Sequence, residues 1–305
     1  MIPRTLLLSV LLLVCLAQIA SAAPDLCYAG KGGHLYLHSG TGADARITPD
    51  DLTDGICRMP QWVDRDKIIF VYDLSPDSMP PKTKVGVLKV SSKRIQWIAP
   101  LAGSTAIGYD MASGSIDFMR MTKQDTNSES SEVHLGQCDL KTGKANIAPA
   151  YKSWGHLTPK PIFRWPDASS RLVPVGTSDV SDQVGVYSLA KKKFVPVKWL
   201  DDKWKNASLG GWAVTAVYPS PKGMLAMAVI GDQMNCSLSI VAGTAVKKLQ
   251  TTKAVIRGPV ISLDGSMIAW CEDNLSEASK TIWVGPTSKA GPQKIADGWD
   301  PAWRP

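Results

Sequence analysis

Apolar and polar positions along this chain alternate in short blocks. Each apolar run is cut by Gly, Pro, Ser, Thr or Asp before a helix could complete three turns, so the pattern predicts strands and turns. One unit recurs: a loop, a short strand often carrying Pro-x-aromatic, a tight turn, then a β-branched strand. Its clearest copy is Pro60-Gln61-Trp62, a turn at Asp64-Arg65-Asp66, and Lys67-Ile68-Ile69-Phe70-Val71-Tyr72. Further copies are anchored at Tyr109, Phe163, Val217, Ile261 and Trp303, about 42 to 54 residues apart. Between anchors lie two more strand signals. The third strands are expected over 84–90, 132–140, 183–189, 236–241 and 280–285. The fourth are expected over 94–98, 145–148, 193–197, 245–249 and 293–296. Four short strands per repeat of that length is the sequence signature of a β-propeller blade.

The ends fit the same scheme. The last repeat has only its first strand, Pro301-Ala302-Trp303, whereas the N-terminal part supplies three strands over 25–29, 34–38 and 45–48. The expected fold is all-β: a six-bladed propeller of four-stranded antiparallel blades, the last closed by one C-terminal and three N-terminal strands. Such closure leaves no open sheet edge on the ring.

The Pro-x-Trp strand, the Asp-Gly type of turn and the apolar second strand resemble the repeat of the TolB-like six-bladed propellers of bacterial envelopes, a WD-like repeat family. That family's unit reads roughly Pro-x-Trp-Ser-Pro-Asp-Gly. Here only Ser262-Leu263-Asp264-Gly265 and Ser220-Pro221-Lys222-Gly223 stay close to it; Val63-Asp64-Arg65-Asp66 departs, and Trp303-Arg304-Pro305 ends early. The resemblance covers the chain beyond its leader and implies fold rather than activity. The family's further N-terminal α/β domain has no room here.

Residues 1–22 read as a secretory signal peptide. Arg4 gives the positive start, residues 6–19 an apolar stretch, and Ala20-Ser21-Ala22 a small-residue cleavage site. The propeller domain is expected over 23–305. An exported protein, periplasmic or secreted, follows, with no transmembrane segment after the leader. The chain has 305 residues, 44% hydrophobic and 20% charged, which excludes extended disorder. Its net charge of +7 includes Arg4. Lys191-Lys192-Lys193, the densest basic run, reads as a hairpin turn, so no nucleic-acid partner is expected. Five cysteines follow the leader: Cys27, Cys57, Cys138, Cys236 and Cys271. None forms a CxxC pair, and the last three fall in strand-like runs that suit buried thiols.

Chemical motifs are sparse. His34, His38, His134 and His156 make no metal-ligand spacing; His34 and His38 on one strand would stand about 13 Å apart. There is no Gly-x-Ser-x-Gly nucleophile elbow and no Gly-rich phosphate loop. The run Ser262 to Trp270 superficially matches a sialidase box, but Gly265 directly follows Asp264 and no Thr precedes Trp270, as befits a hairpin turn. Asp201-Asp202 reads as solvated loop charge. No metal, cofactor or catalytic residue is therefore expected.

What remains is surface. Segments entering the innermost strands of a propeller converge on one mouth of its channel. Here they carry Asp54, Trp154, His156, Trp204, Trp212, Arg257 and Trp299, the expected binding residues. The expected function is a non-catalytic protein- or peptide-binding module or scaffold of the bacterial envelope or extracellular space, acting as a monomer. The alternative is an enzyme or small-ligand binder, for a glycan or lactone, with its site in the channel. Channel enzymes need converging carboxylates, and the innermost strands offer chiefly Asp110 and Asp300.

Overall fold

The computed structural model describes residues 25–40, 43–75, 82–125, 130–148, 151–154, 160–175, 183–195, 213–231, 235–275, 279–288 and 291–305. The leader and the whole 196–212 insertion lie outside them. Three strands come first: β1 (Leu26–Gly30), β2 (Leu35–His38) and β3 (Ala45–Arg46). A first complete unit follows, with β4 (Ile56–Asp64), β5 (Lys67–Asp73), β6 (Thr83–Lys89) and β7 (Arg94–Trp97). The second holds β8 (Ser104–Asp110), β9 (Ser115–Asp125), β10 (Ser130–Asp139), β11 (Ala145–Ile147) and β12 (Tyr151–Trp154). The third is β13 (Phe163–Arg164), β14 (Ser170–Val175), β15 (Gln183–Ser188) and β16 (Lys193–Phe194). The fourth is β17 (Ala213–Pro219), β18 (Met224–Ile230), β19 (Cys236–Ala242) and β20 (Ala245–Thr252). The fifth begins with β21 (Val255–Ile261), β22 (Met267–Asn274) and β23 (Ser279–Pro286), and β24 (Gln293–Trp303) ends the chain.

Within each unit the strands pair antiparallel in chain order. The fifth unit and β1–β3 are joined in one seven-stranded sheet through β24. The first half of β24 pairs with β23, through Gln293 to Asp297, and its second half pairs with β1, through Gly298 to Trp303. The sequence suggests two separate strands there, at 293–296 and 301–303. The Asp297-Gly298 pair between them is a turn signal in the sequence, but here Asp297 pairs with Thr281 and Gly298 with Gly30, so one strand runs on and changes partners. Counting β24 in both sheets it serves, the strands group as six four-stranded units. A further difference is β12, which pairs with β10 beyond the end of β11 and so covers the exposed remainder of that edge.

Polarity is graded across each unit. In β5 every residue after Lys67 is buried, and in β18 residues 225–229 are buried. Strands packed by neighbouring units on both faces have no solvent side, so they show continuous apolar runs instead of alternation. The fourth strands, such as β7 and β11, are largely exposed, Trp97 and Ile147 included. All five cysteines after the leader are buried, and none forms a disulfide.

The innermost strands are held to one another by a repeated device. Trp62 donates its indole N–H to the Ala302 carbonyl, 3.1 Å, and Trp303 donates to the Val260 carbonyl, also 3.1 Å. Each Trp of Pro-x-Trp thus clasps the middle residue of the equivalent motif one unit earlier. Gln61 brackets the second unit, donating to the Ile107 carbonyl (2.9 Å) and accepting from the Tyr109 N–H (2.7 Å). The Ile162 N–H donates to the same Ile107 carbonyl at 2.9 Å. A Cβ at Gly108 would lie 1.9 Å from the Ile162 oxygen, so the second and third units approach as closely as glycine alone permits. The Phe163 and Tyr218 rings meet edge to face at 4.9 Å, and the Ile256 N–H reaches the Cys236 sulfur at 3.4 Å. The ring is therefore continuous. Arg304 seals the closure, with Nη1 donating to Asp25 at 2.6 Å and its guanidinium over the Trp62 ring.

Three outcomes test this arrangement. Trp303 is buried and carries both a strand pair and a clasp, so Trp303→Ala should cost about 3–5 kcal/mol in urea unfolding. Removing 299–305 should abolish the cooperative transition altogether, and a truncated chain that unfolds like the full one would contradict closure through β24. Gly108→Ala should cost about 1–3 kcal/mol by overpacking, read in the same assay.

Candidate functional site

The inner strands enclose a central cavity of about 720 Å³. Its wall takes a segment from every unit: residues 58–62, 108–112, 160–165, 216–221, 255–260 and 299–303. Residues 58–62 and 255–260 belong to the mouth where innermost strands begin, whereas 108–112 and 216–221 reach the mouth where they turn into the second strands.

At the first mouth three consecutive units repeat one local geometry. Met59, Gly258 and Asp300 have left-handed φ of 49°, 50° and 52°, and each precedes a proline. Non-glycine residues pay for this conformation, Met more than Asp, and it persists where surrounding contacts fix it. The fixing contact is visible: the Met59 N–H donates to Asp300 Oδ2 at 2.9 Å. The β4 and β21 ladders are bulged at these points, between Arg58 and Gln61 and between Arg257 and Val260.

The residues just before them form a sector of the wall. Arg257, Trp299 and Arg58 come from the fifth unit, the β24 junction and the first unit, and all line the cavity. Arg58 Nε donates to Asp73 at 3.1 Å, and Arg257 Nε to Asp273 at 2.8 Å, so the same Arg–Asp pair occurs twice. Lys280 stands over the Trp299 ring, 5.5 Å from its centre, while the Trp299 indole N–H donates to the Cys57 carbonyl at 3.2 Å. Asp300 sits among these cations. Burial raises its carboxyl above the ordinary aspartate value, against the opposing pull of the Met59 N–H and of Arg58, Lys280 and Arg257.

Towards the second mouth the wall carries another clasp. Arg164 Nε donates to Asp117 at 2.8 Å and Nη2 to Ser115 at 2.6 Å, with Nη1 on Asp110; Arg171 pairs with Asp117 at 3.0 Å. Burial pushes the Asp110 carboxyl up, but hydrogen bonds from Ser113 and the Arg164 charge outweigh it and hold it below the usual range. Four aspartates thus line the cavity, and three of them, Asp110, Asp117 and Asp273, are neutralised by arginine. Beyond the clasp the rim is apolar, with Met111 55% and Leu263 42% exposed beside Pro219, Pro221 and Pro305.

Of the residues expected from sequence, Arg257 and Trp299 lie on this wall. Asp54 is exposed outside it and accepts the Tyr72 hydroxyl at 2.8 Å. Trp154 ends β12, on the edge of the second unit. His156, Trp204 and Trp212 lie outside the described residues. His38 meets Asp44 at 2.7 Å and His134 meets Glu132 at 3.3 Å, far apart in the fold. Among the described residues no three His, Cys, Asp or Glu side chains group as a metal cluster. Sequence reading missed Arg58, Lys280, Met111 and Leu263. The first had a signal: Arg58-Met59-Pro60 and Arg257-Gly258-Pro259 are the same tripeptide pattern at the same place in the repeat.

No known protein-family model and no curated protein sequence matches this chain. Solved structures do. TolB from Acinetobacter baumannii is 15% identical, with a TM-score of 0.67 over 96% of this chain and 70% of that one. An oligogalacturonate lyase in complex with manganese is 12% identical, with a TM-score of 0.52 over 91% of this chain and 82% of that one. The oligogalacturonate lyase of Vibrio parahaemolyticus is 14% identical, with a TM-score of 0.51, covering 90% and 75%. The chain therefore has a TolB-like propeller fold, and at these identities the likeness is one of fold. Among the described residues no helix is long and apolar enough to cross a membrane.

Asp300 gives a test of the first mouth. A carboxyl whose folded pKa is raised holds its proton more tightly when folded, so it costs stability as pH climbs from the ordinary aspartate value through the raised one. Asp300→Asn keeps an oxygen for the Met59 N–H and removes the charge. It should be more stable than wild type at about pH 8 and lose that advantage near pH 4. Urea unfolding at both pH values decides it; a less stable variant at high pH would show that the three cations outweigh burial.

Proposed function

We propose that this chain is an exported, non-catalytic propeller of the bacterial envelope or extracellular space that binds a segment of another protein at its channel. Residues 1–22 act as the leader, and the mature protein works as a monomer. The observation that carries this reading is the channel itself. Its second mouth exposes Met111 and Leu263 together with three prolines, an apolar rim of the kind that protein partners cover. Its polar groups are mostly committed to one another, as expected of a surface that holds shape.

A second reading, an enzyme or small-ligand binder for a glycan or lactone, is favoured by the carboxylates on the wall. Against it, Asp110, Asp117 and Asp273 are each held in an ion pair with an arginine, and hydrogen bonds from Ser113 with the Arg164 charge hold the Asp110 carboxyl below its usual range. Of the four aspartates on the described wall, only Asp300 has the raised carboxyl such chemistry uses.

The deciding experiment is capture of partners from envelope extract by the purified mature protein, with mass-spectrometric identification. A specific protein should be retained, and the double variant Met111→Asp, Leu263→Asp should reduce its retention at least tenfold. Both positions are solvent-exposed turns, so the melting temperature should stay within a few degrees of wild type. Equal capture by wild type and variant would remove the apolar rim from the binding surface, and turnover of a lactone or oligosaccharide by the purified chain would replace this reading with the second.

A further inference from the structure

The sector of wall at the first mouth deepens that reading, on which it rests, by giving the bound segment a chemistry. Two arginines flank one tryptophan on consecutive units at the same level of the channel, each fixed by its own aspartate and its own bulge. The side chains of Asp73 and Asp273 are only 6% and 8% exposed, whereas those of Arg58 and Arg257 are 22% and 27% exposed. Asp73 is off the wall and Asp273 reaches it only as a nearly buried side chain, so the more exposed arginines give this sector its positive charge. Arg58 engages Asp73 through Nε, and its two terminal nitrogens have no protein partner among the described residues. Lys280 adds a third cation on the face of Trp299.

We propose that Arg58, Arg257, Lys280 and Trp299 form a subsite for a carboxylate carried on an acidic peptide segment entering the channel. The Arg58 guanidinium, already oriented through Nε, presents its remaining N–H groups as a planar fork, which suits the two oxygens of a carboxylate. The Trp299 ring supplies a flat apolar surface for the aliphatic stem of a Glu or the backbone beside it. Burial of Asp300 favours its neutral form, which lessens the repulsion an incoming carboxylate would meet. The peptide source is preferred to an acidic sugar because the opposite mouth carries the apolar rim of Met111 and Leu263, and a chain threaded along the channel would meet both.

The probe is fluorescein-labelled hexaglutamate, read by fluorescence anisotropy on the mature protein at low salt, with hexaglutamine and trigalacturonate as comparisons. Hexaglutamate should bind saturably and hexaglutamine at least tenfold more weakly. Arg58→Gln should weaken hexaglutamate about tenfold or more, but it also strands Asp73, so Arg58→Lys and Lys280→Gln are measured beside it. Both should weaken binding severalfold while melting near the wild-type temperature. Equal binding of the two peptides, no binding of hexaglutamate, or full affinity in the folded Arg58→Lys and Lys280→Gln variants would overturn the proposal. Binding of trigalacturonate without hexaglutamate would overturn the peptide assignment in favour of an acidic sugar. If hexaglutamate fails while captured partner is still lost on changing Met111 and Leu263, the acidic subsite falls and the protein-binding reading stands; if both fail, the reading falls with it.

Discussion

The innermost strands of this propeller are clasped to one another across unit boundaries, and that clasp is what a channel requires. A sheet of four strands has an edge on each side, and six such sheets make a ring only if each inner edge meets its neighbour with its polar groups satisfied. The indole N–H groups of Trp62 and Trp303, the amide of Gln61 and the N–H of Ile162 do this at the level of the Pro-x-aromatic motif. The close approach at Gly108 shows how little space the arrangement leaves. Closure through β24 belongs to the same logic. A single strand that finishes one sheet and starts the next cannot let the two units separate without breaking its own backbone pairing.

The same geometry creates the candidate site. Bringing the start of each inner strand to the channel needs a bulge at Met59, Gly258 and Asp300, and the residue before each bulge is turned onto the wall. Two of those residues are arginines backed by buried aspartates, and one is a tryptophan. At the other mouth the tight turns leave apolar side chains such as Met111 and Leu263 in solvent. One channel thus has a cationic, aromatic end and an apolar end, both products of how each strand enters and leaves the ring. Pairing of most wall carboxylates with arginine holds the wall in shape.

Much of this was legible in the sequence, and the reason is local. Strand identity follows from β-branched and apolar runs bounded by Gly, Pro and Asp, so β5, β18 and β22 were readable from residues 67–72, 224–228 and 267–270. The Pro-x-aromatic anchors exposed the repeat, and the unmatched Trp303 against three N-terminal strands exposed the closure. Arg257 and Trp299 could be placed at the channel because position within a repeat fixes position around the ring. Tertiary structure alone decided the rest. Whether 293–296 and 301–303 are two strands or one depends on pairing with β1, at the opposite end of the described chain, and no local signal encodes that. Arg58 is set apart because Asp73 lies behind it and Trp299 beside it, and Asp300 becomes an unusual carboxyl only when burial and three cations from two units surround it. Local sequence sets backbone preference; charge, burial and partnership are set by what the closed ring brings together.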